Sequence, residues 1–247
     1  MSKRYSVDLE AKQINKFDER WYQIPDGDKI IDVRSVTTFL EAFPKGYAFR
    51  QWLKSSSFNA DIILEQAGQF GSALHGLIET LLKGGQVNYY EEMDIRLWER
   101  LMIWMDFWTE FTSEHEVKWS PEFVEMIVYD LDYKYAGTCD FIPRVDGKIT
   151  PMDWKSGNYV GEEAEIQIST YAKAIGKKFK CEIEKCLIVW MPEKKPNKKG
   201  YRIIEVTDIE NNFQDFLHVQ QVYLRANKGE KPKYKTYPTE ITLNKEV

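Results

Sequence analysis

Asp140, Asp153 and Lys155 are the residues of this 247-residue chain whose types and spacing best suit chemistry. They lie in the stretch GTCDFIPRVDGKITPMDWKSG, from Gly137, followed by NYVGEEAEIQISTY, ending at Tyr171. Tyr135 to Pro143 reads as a strand, Asp146-Gly147 as a tight hairpin turn, and Lys148 to Trp154 as the returning strand. Such a hairpin brings Asp140 beside Asp153, and the period of two sends Asp153 and Lys155 to one face. Two carboxylates and an ammonium then meet at one end of a sheet. Carboxylate oxygens are what a hard cation such as Mg²⁺ prefers, and one or two suffice when substrate phosphates supply the rest. A lysine beside that ion can polarise an attacking water or neutralise charge growing on a phosphate.

Other elements must hold these groups. From Ala164 to Ile175, apolar residues at helical spacing (Ile166, Ile168, Tyr171, Ala172, Ile175) predict a helix directly after the motif. Upstream, Arg20–Ile24 and Lys29–Val33 flank a Pro-Asp-Gly-Asp turn and predict a hairpin after a polar, irregular start over 1–18. Ser35 is a credible N-cap for a first helix. Further helices are expected over Tyr47–Leu53, Asn59–Leu82 and Glu92–Glu116. In the second of these the apolar face would run through Leu64, Ala67, Leu74, Ile78 and Leu81. In the third, large apolar residues from Leu97 to Phe111 could stack on unpaired bases, but at helical spacing most read as core. Strands are expected over Pro121–Leu131, Lys185–Met191 and Tyr201–Val206, then a closing helix over Asp208–Ala226 and a polar tail.

Asp140, the Asp153-Trp154-Lys155 triplet and the pair Gln167 and Tyr171 together resemble the core of the PD-(D/E)XK nuclease superfamily. The RecB-like exonuclease branch is the closer likeness, because it places a histidine on an upstream helix and Gly71-Ser72-Ala73-Leu74-His75 fits. A single D-x-K is a weak signal, whereas the ordered set of His, G-x-x-D, D-x-K and Q-x-x-x-Y is specific. The resemblance covers Ser35 to Ala226. It implies an α/β fold with a restriction-endonuclease-like core, a mixed central sheet flanked by helices, preceded by an extension and hairpin (1–34) and followed by a tail (227–247).

For the site, the resemblance implies that His75, Asp140 and Asp153 bind Mg²⁺ or Mn²⁺, with the backbone carbonyl of Trp154 as a further ligand. Lys155 would position or deprotonate water, or stabilise the transition state. Gln167 and Tyr171 would hold DNA and Lys155 in place. Family members commonly keep another acid near the first central strand. Glu122 and Glu125 compete for that place on opposite faces, and Glu125 fits the spacing better. Glu79 shares a helix face with His75 and would reach the ion through water or orient the imidazole. Some RecB-like nucleases carry a four-cysteine iron–sulfur cluster. Cys139, Cys181 and Cys186 cannot supply it, so reduced thiols and no cluster are expected.

The implied activity is a metal-dependent DNA exonuclease of recombination, replication or repair, since family members with this histidine process DNA ends. Stand-alone relatives of this size act in phage recombination and in mitochondrial genome maintenance. Single-stranded ends or flaps are the expected substrates, with a recombination or single-strand-binding protein as an expected partner. The alternatives are a structure-specific endonuclease, a DNA-binding module on a nuclease fold, and an enzyme acting on RNA. No G-x-x-x-x-G-K-[ST] loop accompanies the motif set.

Composition agrees with a folded soluble enzyme: 43% hydrophobic and 14% aromatic residues suffice for a core. No apolar run has membrane-spanning length and no signal peptide is evident, so a cytoplasmic location is expected, the host's if the gene is a phage's. The net charge of −5 is unevenly spread. Residues 1–172 hold 18 Lys/Arg against 29 Asp/Glu, and 173–235 hold 15 against 8. A local basic surface can bind phosphate whatever the total. The lysines from Lys194 to Lys199 could serve there or simply be solvated.

Overall fold

A computed structural model describes residues 11–16, 19–56 and 60–232. Strands β1 (Lys12–Lys16), β2 (Glu19–Asp26) and β3 (Lys29–Ser35) form an antiparallel meander. The expected hairpin is β2–β3, and part of the supposedly irregular start is the strand β1. Short helices α1 (Val36–Leu40) and α2 (Tyr47–Ser56) follow, then the long α3 (Ala60–Leu82) and α4 (Ile95–Glu114). Ser35 Oγ accepts from the Thr37 amide, which makes it the N-cap of α1. Asp94 caps α4 in the same way through the Arg96 amide, so this helix begins three residues later than its apolar pattern suggests. Asn59, proposed as the start of α3, lies outside the described residues.

Beyond α4, the two-residue strand β4 (Val117–Lys118) and a 3₁₀ turn over Pro121–Phe123 lead to β5 (Val124–Asp130) and β6 (Tyr135–Phe141). The expected hairpin turn at Asp146-Gly147 is present, with φ of 50° and 84°, but it joins only β7 (Arg144–Val145) to β8 (Lys148–Ile149). These two pair with β4 in a separate small sheet. The returning segment keeps the hairpin register: beyond Arg144–Ile149, Thr150 N bonds to Pro143 O and Met152 pairs with Phe141, where the chain enters the main sheet as β9 (Met152–Lys155). The chain ends with α5 (Glu162–Phe179), β10 (Cys186–Trp190), β11 (Arg202–Val206) and α6 (Ile209–Ala226).

The main sheet is mixed and eight-stranded, with β6 as its hub. Along one edge β6 pairs antiparallel with β5. Its other edge is shared: β3 runs parallel to Tyr135 and Ala136, and β9 meets it at the single pair Phe141–Met152. Between those contacts, Gly137 to Asp140 have no strand partner on that edge. The parallel β9–β10 pair and antiparallel β11 extend the sheet.

Helices cover both faces. On β10, Cys186 and Ile188 pack toward α1, α5 and α6, while Leu187 and Val189 pack toward α3 and α4. Such alternation of apolar residues to both sides marks a strand buried on both faces. Most of the large residues of α4 are core, with Leu101, Trp104, Phe107 and Phe111 buried. On α3 only the second half behaves as expected. Leu74, Ile78 and Leu82 are buried, but Ile62, Ile63 and Leu64 are 53%, 44% and 42% exposed. No described element covers that end of the helix. Among the described residues no helix is long and apolar enough to cross a membrane.

Gly137 fixes how α5 sits on the sheet. A Cβ there would lie 2.3 Å from Cε1 of the buried Tyr171 ring, so the ring rests directly on the strand backbone. Gly137→Ala should therefore cost about 1–3 kcal/mol, the range for overpacking a core. Thermal denaturation should show a fall of at least ~3 °C. Adding Tyr171→Ala should remove most of the extra penalty; full additivity of the two changes would refute the contact.

Candidate active site

The site lies in the opening between β3 and β9 beside β6. Leu187 N bonds to Pro151 O and Met191 N to Lys155 O, so alternate residues of β9 turn their backbone polar groups to β10. Trp154 turns its own groups the other way, toward the edge of β6, where the strand ladder has ended. Two side chains replace the missing strand. Asp140 Oδ2 accepts the Trp154 amide at 2.8 Å, and His75 Nε2 lies 2.9 Å from the Trp154 carbonyl. Each satisfies a backbone group that burial would otherwise leave unpaired.

The donation from His75 Nε2 leaves Nδ1 facing the acids. Nδ1 is 3.5 Å from Asp140 Oδ2 and 3.8 Å from Glu125 Oε1. Burial disfavours charge on His75, but the nearby carboxylates of Asp140, Glu125 and then Asp153 outweigh it and raise its pKa to about 9. Glu125 reaches this place through an unusual backbone: its φ is +53°, in the left-handed region. The conformation interrupts β5, so Val124 packs toward α3 and α4 while Val128 packs toward α5. A non-glycine residue held this way stores on the order of 1–3 kcal/mol, and such outliers gather at functional sites.

Asp153 pairs with Ile188 and shares its α5-facing side of the sheet. Burial raises its carboxyl pKa to about 6, against the pull of Lys155. Asp140 is likewise raised by burial, opposed by His75. Lys155 Nζ lies 2.9 Å from Asp153 Oδ2 and 3.2 Å from Oδ1, but only the Oδ1 contact has hydrogen-bond geometry. Oδ2 is a buried acceptor without a hydrogen bond. Burial opposes the Lys155 charge, yet Asp153 and Asp140 prevail and raise its pKa. Nζ also donates to Gln167 Oε1 at 3.2 Å, and Gln167 Nε2 donates to Tyr171 Oη at 3.2 Å. The helix thus holds the lysine through a relay one turn long.

The structure brings His75, Glu125, Asp140, Asp153, Lys155, Gln167 and Tyr171 into one place. It departs from the sequence reading in three respects, and of the two competing acids it brings in Glu125 and leaves Glu122 outside. The Trp154 carbonyl is taken up by His75 and orients the imidazole. Tyr171 is buried beneath the site at 2% exposure, so it supports Gln167 and does not face a ligand. Glu79 accepts from Lys83 at 2.6 Å, one turn further along α3, and forms no pair with His75. Glu122 belongs to the 3₁₀ turn, where it is exposed. The signal missed in the sequence is the left-handed Glu125, since nothing in its type announces that backbone.

The donor set suits a hard divalent cation. One ligand atom each from His75, Glu125 and Asp140 lie within 4.8 Å of one another; Asp153, expected among the ligands, is not in this group, and its Oδ2 lies 2.9 Å from Lys155 Nζ. Imidazole and carboxylate together suit ions such as Mn²⁺.

No protein-family model matches the chain, and no curated protein matches it. Among solved structures the chain is similar to an alkaline exonuclease from Laribacter hongkongensis. The likeness covers 79% of this chain and 91% of that one, at 11% identity and a TM-score of 0.36. The functional reading therefore rests on the geometry of the site.

Isothermal titration calorimetry should detect Mn²⁺ binding by the purified chain. Asp140→Asn and Glu125→Gln should each weaken it roughly 10- to 100-fold, with unchanged circular dichroism. Undiminished binding in both variants would show that the cluster is not the cation site.

Proposed function

We propose that this chain is a Mg²⁺- or Mn²⁺-dependent DNA exonuclease of the RecB-like PD-(D/E)XK type, acting on DNA ends in recombination, replication or repair. The observation that carries this reading is the convergence of His75, Glu125, Asp140 and Asp153 on one opening in the sheet, with Lys155 held beside them by Gln167. His75, Glu125, Asp140 and Asp153 would hold the ion. When bound, such an ion acidifies a water and offsets the charge of a phosphodiester. Lys155, kept cationic by the acids, would orient the attacking water or stabilise charge growing on the phosphate oxygens. Hydrolysis forms one P–O bond from water and breaks one to the departing strand, whose oxygen takes up a proton.

Gln167 and Tyr171 would act through Lys155. The Nε2 bond from His75 to the strand carbonyl keeps the imidazole aimed at the ion, a placement that a freely rotating histidine would lose. Single-stranded ends or flaps are the substrates this reading favours.

End-labelled linear DNA incubated beside circular single-stranded DNA tests the reading. Linear DNA should be degraded with Mg²⁺ or Mn²⁺ and spared with chelator. Lys155→Ala should slow the reaction about 10²- to 10³-fold. Gln167→Ala should slow it about tenfold or more while leaving Mn²⁺ binding intact. Cutting of the circle would indicate an endonuclease instead, and metal binding without cleavage of either substrate would indicate a binding module.

A further inference from the structure

Arg100 stands outside the acid cluster and is a buried charge that the described residues pair incompletely. It is 6% exposed; Nη1 donates to the Met191 carbonyl at 2.6 Å, and Nε is buried without a hydrogen-bond partner. Glu193 and Glu99 favour its charge from a distance but neither forms an ion pair with it. A buried guanidinium with an unmet donor is expensive unless something completes it.

Arg100 borders a cavity of about 590 Å³ between α3 and the start of α4. This is the size of a small-ligand site. One wall is the turn Ser156–Asn158, which directly follows Lys155; the opposite wall includes Ala73, two residues before His75. The turn is fixed in place: Trp190 Nε1 donates to Gly157 O at 2.7 Å, and Glu193 N donates to Asn158 Oδ1 at 3.2 Å. The apolar lining comes from the exposed half of α3, including Ile63, Ala67 and Phe70, and from Leu97. Arg96 also borders the cavity but is engaged by Asp94 at 2.7 Å. Glu193, at the rim, is exposed.

We propose that this cavity seats one unpaired nucleotide of the strand being cut, with its phosphate on Arg100 and its base against Phe70 and Leu97. The inference rests on the phosphodiester reading of the neighbouring acid cluster and adds the place where the strand is held. An anion against the Arg100 guanidinium would offset a buried charge that no carboxylate pairs, and an aromatic and aliphatic wall receives a base of any sequence. A base paired in a duplex reaches such a pocket only by leaving its stack, which costs a few kcal/mol. The cavity therefore selects single strands.

Fluorescence anisotropy of a labelled ten-nucleotide oligothymidylate, with Ca²⁺ in place of Mg²⁺, tests this without turnover. Ala73→Phe fills the cavity from an exposed helix position and should raise Kd at least ~10-fold. Arg100→Gln, which keeps a donor for Met191 O, should do the same. Glu193→Gln removes the acid at the rim and should lower Kd about 2- to 5-fold. Duplex DNA of equal length should compete poorly. Mn²⁺ binding and circular dichroism should be unchanged in Ala73→Phe and Glu193→Gln, which keeps the test intact even where Arg100→Gln fails to fold. Wild-type affinity in both folded variants, or no oligonucleotide binding by the wild type, would overturn the proposal. If linear DNA is degraded while Ala73→Phe binds normally, this inference falls and the nuclease reading stands. If Ala73→Phe abolishes binding but no DNA is ever cut, the nucleotide site stands and the nuclease reading falls.

Discussion

Two buried carboxylates a strand apart, Asp140 and Asp153, set the terms for everything around them. Removing each from water raises its pKa, and their proximity adds repulsion. The fold offsets this with two cations from opposite sides of the sheet: His75 from α3 and Lys155 from β9. One carboxylate is also tied to the backbone, through the Trp154 amide. The result is a charge-dense pocket whose members hold one another's protonation states. A divalent ion entering it would displace the proton that the acids hold on His75 Nδ1 and take over its attraction for them, so the cluster is compatible with a cation site. Structural networks in this protein look different. Around Lys177, Asp132 is exposed and Asp130 is buried, but Asp130 Oδ1 accepts from Lys177 and from the amides of Asp132 and Tyr133.

The opening that admits these groups is itself a consequence of strand pairing. The hairpin keeps one register from Val145–Lys148 through Thr150–Pro143 to Phe141–Met152, and only beyond Met152 does β9 diverge from β6 to pair with β10. That divergence leaves one edge of β6 free from Gly137 to Asp140. Had the two strands stayed paired past Met152, the edge would have been filled and the site closed. Gly137 completes the arrangement by letting Tyr171 lie on the strand, which brings the Gln167 amide within reach of Lys155.

Much of this was legible in the sequence, because the relevant information is local. Strand period put Asp153 and Lys155 on one face, and helical period put Gln167 and Tyr171 on another. The Ser35 cap and the Asp146-Gly147 turn depend on their own residue types and formed where those types stand. The failures share the opposite character. The divergence of β9 from β6 after Met152 follows from its pairing with β10, a distant strand that alternation within the segment does not reveal. The exposure of Ile62, Ile63 and Leu64 depends on what packs opposite them, and no single-chain periodicity carries that. The left-handed backbone of Glu125 is imposed by its surroundings against its own preference, so residue type argued against it.

That exposed end of α3 bears on the cavity. Apolar residues left in water are a small, tolerable cost, since much of any protein surface is apolar. Paired with a buried arginine lacking one hydrogen-bond partner, on the same side of the molecule and next to Lys155, they acquire a common explanation. A folded chain that had only stability to satisfy would gain by burying Ile63 and Phe70 against Leu97 and by replacing Arg100 with an apolar residue. Holding these groups apart preserves a slot with an anion-binding end and an apolar wall, immediately beside the acids. On the proposed reading, the cavity and the acid cluster would be two halves of one site, the first to hold a strand and the second to act on it.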